Sequence, residues 1–165
     1  MLEFVLVNNT SFFKLVLNIF FFSLVPFIVL YIFMRLHVVS DLEITDMKER
    51  TLYFSLVVLY YVLVSYLYRG ELFMFTCAVS IVISMLCMTL INTKWKISGH
   101  LTLDTLIFFS LASISKLFLL LMLLLPLVAY TRIKLKKHTL LQTVFGVILG
   151  CVTFWVTNLI IENNL

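Results

Sequence analysis

Long apolar runs alternate with short polar ones along the whole chain. The first, Leu15–Met34, is interrupted only by Asn18, Ser23 and Pro26, and Leu52–Tyr68 and Leu72–Ile91 follow. Leu101–Tyr130 is predominantly apolar, with Ser110, Ser113, Ser115 and Lys116 grouped near its middle. The last run extends from His138 or Thr139 to about Ile161. A helix needs about 20 residues to cross a hydrocarbon core of about 30 Å. Drawn as one straight helix, Leu101–Tyr130 would reach about 45 Å. It is therefore read as two crossings that turn near Ser113–Lys116. Backbone groups in lipid must bond within the chain, which selects helices, and the runs lack the period-2 alternation of a membrane barrel. The pattern predicts an all-α integral membrane protein, a bundle of six transmembrane helices forming a single domain over residues 1–165. Pro26 is expected to kink the first helix. That run follows Lys14, lacks a small-residue cleavage site and exceeds a signal-peptide core, so it is read as retained.

Composition narrows the function classes. The chain is 63% hydrophobic and 12% charged, with 16 Phe, whereas a soluble domain is about 45–50% apolar and about 25% charged. An ordinary soluble enzyme, a disulfide scaffold and a disordered chain are excluded. Cys77, Cys87 and Cys151 lie inside apolar runs without paired spacing and are read as packing residues.

Charge is distributed unevenly. With six crossings, the connections at Asp41–Arg50, Lys94–His100 and Arg132–His138 emerge on one side. Of the 12 Lys and Arg, that side takes nine: Arg35, Lys48, Arg50, Lys94, Lys96, Arg132, Lys134, Lys136 and Lys137. Lys14, Arg69 and Lys116 belong to the other. His37, His100 and His138 also fall on or near the crowded side. One reading is topological, with cationic loops marking the cytoplasmic face. The other is chemical, with three loops converging on an anion site. Arginine offers a planar fork to phosphate oxygens, and a Ser-Gly step opening a helix adds N–H donors at its positive end. Two histidines supply a nucleophile and an acid. Lys48 and the cluster Asp41, Glu43, Asp46 and Glu49 are read as a solvated loop. His37 and Trp95 are read as interfacial residues. Asp104, one turn beyond His100, is an intramembrane carboxylate suited to tuning that histidine toward its protonated form.

Ser98-Gly99-His100, followed by Arg132 and then by His138 six positions later, resembles the second and third signature motifs of the type 2 phosphatidic acid phosphatase superfamily, which includes vanadium haloperoxidases. The family pattern reads KxxxxxxRP, PSGH and SRxxxxxHxxxD. Here the third motif runs Thr131-Arg132-Ile133-Lys134-Leu135-Lys136-Lys137-His138-Thr139-Leu140-Leu141-Gln142, and Arg50-Thr51 stands where Arg-Pro would be. Motif order along six helices agrees over most of the chain, and Thr131–Gly150 looks like short bacterial membrane members of the superfamily. The resemblance implies a two-step hydrolysis without a metal or other cofactor. His138 would attack phosphorus and His100 would protonate the leaving oxygen. Arg132, Arg50, Ser98 and the Gly99 amide would hold the phosphoryl oxygens.

Besides Thr51, four positions depart from the pattern. Glu43 occupies the place of the lysine, Ile97 that of the proline, Thr131 that of a serine and Gln142 that of the aspartate. Gln142 can orient His138 from one turn away through its carbonyl, but it supplies no negative charge. In the serine-protease triad the equivalent loss lowers the rate by about 10⁴.

The expected partners are the bilayer and a lipid phosphate or prenyl diphosphate, with no nucleic acid, in a bacterial cytoplasmic membrane. The alternative is a degenerate member of the family that binds lipid phosphate or serves a structural role without catalysis. A small transporter would need paired Gly or Pro interruptions near mid-membrane, which glycines 70, 99, 146 and 150 do not supply. The cation asymmetry would put the three-loop face inside the cell, whereas the resemblance puts it outside.

Overall fold

The structure, a computed structural model, describes residues 12–41, 44 and 46–163. Among them every regular element is helical: α1 (Phe12–Ile19), a π turn (Phe20–Leu24), α2 (Val25–Arg35), α3 (Met47–Leu67), α4 (Leu72–Asn92), α5 (Gly99–Ile114), a 3₁₀ stretch (Lys116–Leu124), α6 (Leu125–Lys134) and α7 (Leu140–Glu162). Among the described residues, five helices are long and apolar enough to cross a membrane: Val16–Arg35, Met47–Leu67, Leu72–Asn92, Lys116–Lys134 and Leu140–Glu162. This is the pattern of an integral membrane protein. The sixth apolar helix, Gly99–Ile114, is shorter.

The chain divides into two compact units between Ile44 and Thr45. In the first, Pro26 lacks an N–H for the carbonyl four residues back, and its ring crowds that carbonyl. The helix responds by widening just before it, where the Val25 N–H bonds the carbonyl of Phe20, five residues away. Such π turns absorb local defects of this kind. The helix ends in a Schellman turn: the His37 N–H bonds Met34 O at 3.1 Å and the Val38 N–H bonds Phe33 O at 2.9 Å. His37 takes the left-handed position that glycine usually fills, at φ 56°.

The second unit is built around α7, which packs along α5, α4 and α6, while α3 packs on α4. Hydropathy places the start of α3 at Leu52, but the helix begins at Met47. The reason is a cap. The Asp46 carboxylate accepts from the N–H groups of Lys48 at 2.8 Å and Glu49 at 3.1 Å, which satisfies orphan donors of the first turn. The extra turn carries Arg50 with it.

The long apolar stretch breaks where its serines gather. Ser115 is extended, at φ −148° and ψ 128°, and separates α5 from the 3₁₀ stretch. With about 2.0 Å of rise per 3₁₀ residue, Lys116–Lys134 reaches about 33 Å, whereas α5 reaches about 24 Å.

Lipid tails give helices no hydrophobic reason to associate, so close packing and interhelical hydrogen bonds must hold them. Both are present between α7 and its neighbours. A Cβ added to Gly150 would lie 2.5 Å from Thr102 O and 2.8 Å from Thr105 Cβ, and one added to Gly146 would lie 2.8 Å from Ser98 O. Ser84 Oγ donates to Thr153 Oγ1 at 2.8 Å, and both residues are buried. Leucines such as Leu59, Leu63 and Leu123 are exposed on the outside, as suits contact with hydrocarbon.

Candidate functional site: a polar cluster at one end of the bundle

The start of α5 is fixed from three directions. The Ile97 N–H donates to Asn92 Oδ1 at 3.4 Å, and the Ile97 carbonyl accepts from Arg50 Nη2 at 2.8 Å. The Ser98 N–H donates to the backbone carbonyl of Gln142 at 3.2 Å. The ends of α3, α4, α5 and α7 thereby meet. A proline at position 97 would have no N–H for Asn92, so Asn92 gives Ile97 a local role that proline could not fill.

Arg50 is only 4% exposed, and its guanidinium lies 5.3 Å from the centre of the Phe54 ring. Its polar window reads as surface in the sequence, yet the capped first turn of α3 directs this side chain inward. A Cβ on Gly99 would lie 3.9 Å from Arg50 Nη2 and 3.6 Å from Phe54 Cζ, so the opening of α5 abuts the guanidinium. Among the described residues, Arg50 Nε and the fully buried Ser98 Oγ have no hydrogen-bond partner. Two buried donors beside a helix N-terminus make a setting suited to an anion.

His138 is positioned by the turn that ends α6. The Lys136 N–H bonds Ile133 O at 2.9 Å and the Lys137 N–H bonds Arg132 O at 3.0 Å. Lys136 is left-handed, at φ 55°, completing a second Schellman turn without glycine. Thr139 then caps α7, reciprocally with Gln142. His138 Nδ1 lies 3.3 Å from Gln142 Oε1. Burial pushes the half-buried imidazole down to about 4, the Arg50 and Lys96 cations reinforce that shift, and the hydrogen bond to the Gln142 amide oxygen opposes it. His100, exposed, adds a smaller push in the same direction as the cations. The ring is therefore neutral at pH 7, the form a nucleophile requires.

Of the residues singled out in the sequence, Arg50, Ser98, Gly99, His138 and Gln142 are brought together, and His100 lies within electrostatic reach of His138. Arg132 sits in the last turn of α6, and its field acts on Asp104. Lys48 is exposed. His37 and Asp41 belong to the first unit, and Glu43 lies outside the described residues. Sequence reasoning passed over Asn92, Lys96 and Thr139. Thr139-x-x-Gln142 is a capping-box pattern readable in advance, and Lys96 stands two places before Ser98. Asn92 carries no such signal, because its role depends on a turn formed after it. The cluster combines a buried cation, helix-end donors and a neutral imidazole, a set able to hold an oxoanion beside a nitrogen nucleophile. The chain matches no protein-family model, no curated protein and no solved structure.

Proposed function

We propose that this protein is a six-crossing phosphatase of a bacterial cytoplasmic membrane, which hydrolyses a lipid phosphomonoester or a prenyl diphosphate through a phosphohistidine on His138. The observation that carries the reading is the buried Arg50 guanidinium. It is bonded to the carbonyl that leads into Ser98-Gly99 and lies within electrostatic reach of His138. In the first step the imidazole lone pair forms a P–N bond as the P–O bond to the leaving group breaks. His100 gives that oxygen its proton. In the second step water adds to phosphorus and gives a proton to His100, which restores the acid, while the P–N bond breaks and inorganic phosphate departs as His138 regains its lone pair. Arg50, Arg132, Ser98 and the Gly99 N–H hold the phosphoryl oxygens, where negative charge concentrates. An amphiphilic substrate suits the bundle, since its tail can stay in lipid while the head enters the polar end.

One observation favours a second reading. Gln142, a neutral amide, stands where the resembled family carries a carboxylate, as expected of a non-catalytic binder of lipid phosphate. The two readings separate on phosphate release by the purified protein in detergent, over prenyl diphosphates and phosphatidate without added metal. Release that His138→Ala abolishes is the expected outcome. A folded preparation that releases no more phosphate than the variant would leave the binding role.

A further inference from the structure

The chemistry of Gln142 can be worked out atom by atom. The Thr139 N–H can only donate, and it meets the side chain of Gln142 at 3.0 Å, so the atom there is the amide oxygen. The same oxygen lies 3.3 Å from His138 Nδ1. An amide oxygen can only accept, so the ring nitrogen facing it must carry the proton. We propose that Gln142 is a positioning residue that holds His138 as its Nδ1–H tautomer, leaving Nε2 with the lone pair used for attack. The use in attack rests on the phosphatase reading; the tautomer does not.

The oxygen is placed by the helix rather than by the ring. The Gln142 N–H donates to Thr139 Oγ1 at 3.3 Å, closing the reciprocal box. His138 immediately precedes the capping residue, so its ring meets an acceptor already fixed by the start of α7. Glutamine or glutamate is the residue type that closes such a box, and aspartate is one methylene shorter. The position that reads in the sequence as a lost charge therefore performs two jobs that need length and a carbonyl.

Among the described residues, the charged and titratable groups that act on the ring are Arg50 from α3, Lys96 from the connection after α4, and His100 from α5. None of them stabilises an imidazolium. A carboxylate at position 142 would, and would raise the pH at which the ring takes its second proton. Burial, with the Arg50 and Lys96 cations, keeps the nucleophile unprotonated well below the ordinary histidine range, the neutral amide only partly offsets this, and activity governed by this ring should persist as pH falls toward about 4.

Nitrogen NMR of ¹⁵N-histidine-labelled protein in micelles tests this, with the His138 signals identified by their absence in His138→Ala. The expected spectrum shows a protonated Nδ1 and a bare Nε2, with titration near 4. Gln142→Glu keeps the box and the tautomer but titrates at higher pH. Gln142→Ala mixes the tautomers and lowers kcat about 10²-fold with KM little changed. An Nε2–H tautomer in the wild type, or a Glu variant with unmoved titration, would overturn the assignment. Those two spectra decide the matter even where the Ala variant does not fold. An Nδ1–H spectrum from protein that releases no phosphate would instead overturn the phosphatase reading and uphold the role of Gln142.

Discussion

An arginine stands near each end of helix α3, Arg50 in its first turn and Arg69 in the turn that follows it, and both lie over an aromatic ring. The Arg50 guanidinium is 5.3 Å from the Phe54 centroid and that of Arg69 is 4.6 Å from the Tyr66 centroid. There the likeness stops. Arg69 is exposed in a turn, beside Gly70, around which an added Cβ would meet nothing within 4 Å. Arg50 is 4% exposed and bonded to the carbonyl of Ile97, 47 residues away in sequence. An arginine at a membrane surface keeps its charge in water while its stem lies on apolar neighbours. A buried one must be compensated by partners, and removing a partner is costly. Among the described residues Arg50 Nε has no acceptor, which leaves this donor able to bond an incoming anion. The contrast separates a cation that marks an interface from one suited to a ligand.

The comparison can be broken by substitution. Arg50→Met keeps most of the apolar stem and removes the charge. It should orphan the Ile97 carbonyl, cost about 1–3 kcal/mol in detergent unfolding and lower phosphate release by about 10²–10³. An unaffected Arg50→Met protein would reduce Arg50 to the status of Arg69. Gly150→Ala comes next. Its methyl group would meet the Thr102 carbonyl and Thr105 Cβ inside ordinary contact distance, so α5 and α7 must separate, at about 1–3 kcal/mol. Gly70→Ala, at the open end, should be neutral or stabilising by about 0.4–1 kcal/mol. Arg69→Met should stay within about 0.5 kcal/mol. Equal effects of the two alanine substitutions on unfolding temperature would contradict the packing account of the α5–α7 seam.

The parts readable from sequence are those set by local chemistry. Apolar length located α4 and α7 to within a residue or two, and the gathered serines marked the break at Ser115. Spacing placed Gln142 one turn from His138, where the two do meet. The start of α3 was misplaced because hydropathy reads a charged window as surface, whereas Asp46 caps a helix there and turns Arg50 inward. Gly146 and Gly150 form a small-xxx-small pattern visible in the chain, but what they approach, Ser98 and Thr102, is set by tertiary packing. The Arg50–Ile97 bond was out of reach for the same reason. No periodicity links a side chain at the start of one helix to a carbonyl before another.

The central claim is that His138 is the nucleophile, and the phosphoenzyme tests it most directly. Purified protein would be mixed with a lipid phosphate, quenched at alkaline pH where phosphohistidine survives, digested and examined by mass spectrometry. The account predicts phosphate on His138, absent from substrate-free protein and from His138→Ala. Turnover with no phosphate on His138 at any quench time, or undiminished hydrolysis by His138→Ala, would contradict it.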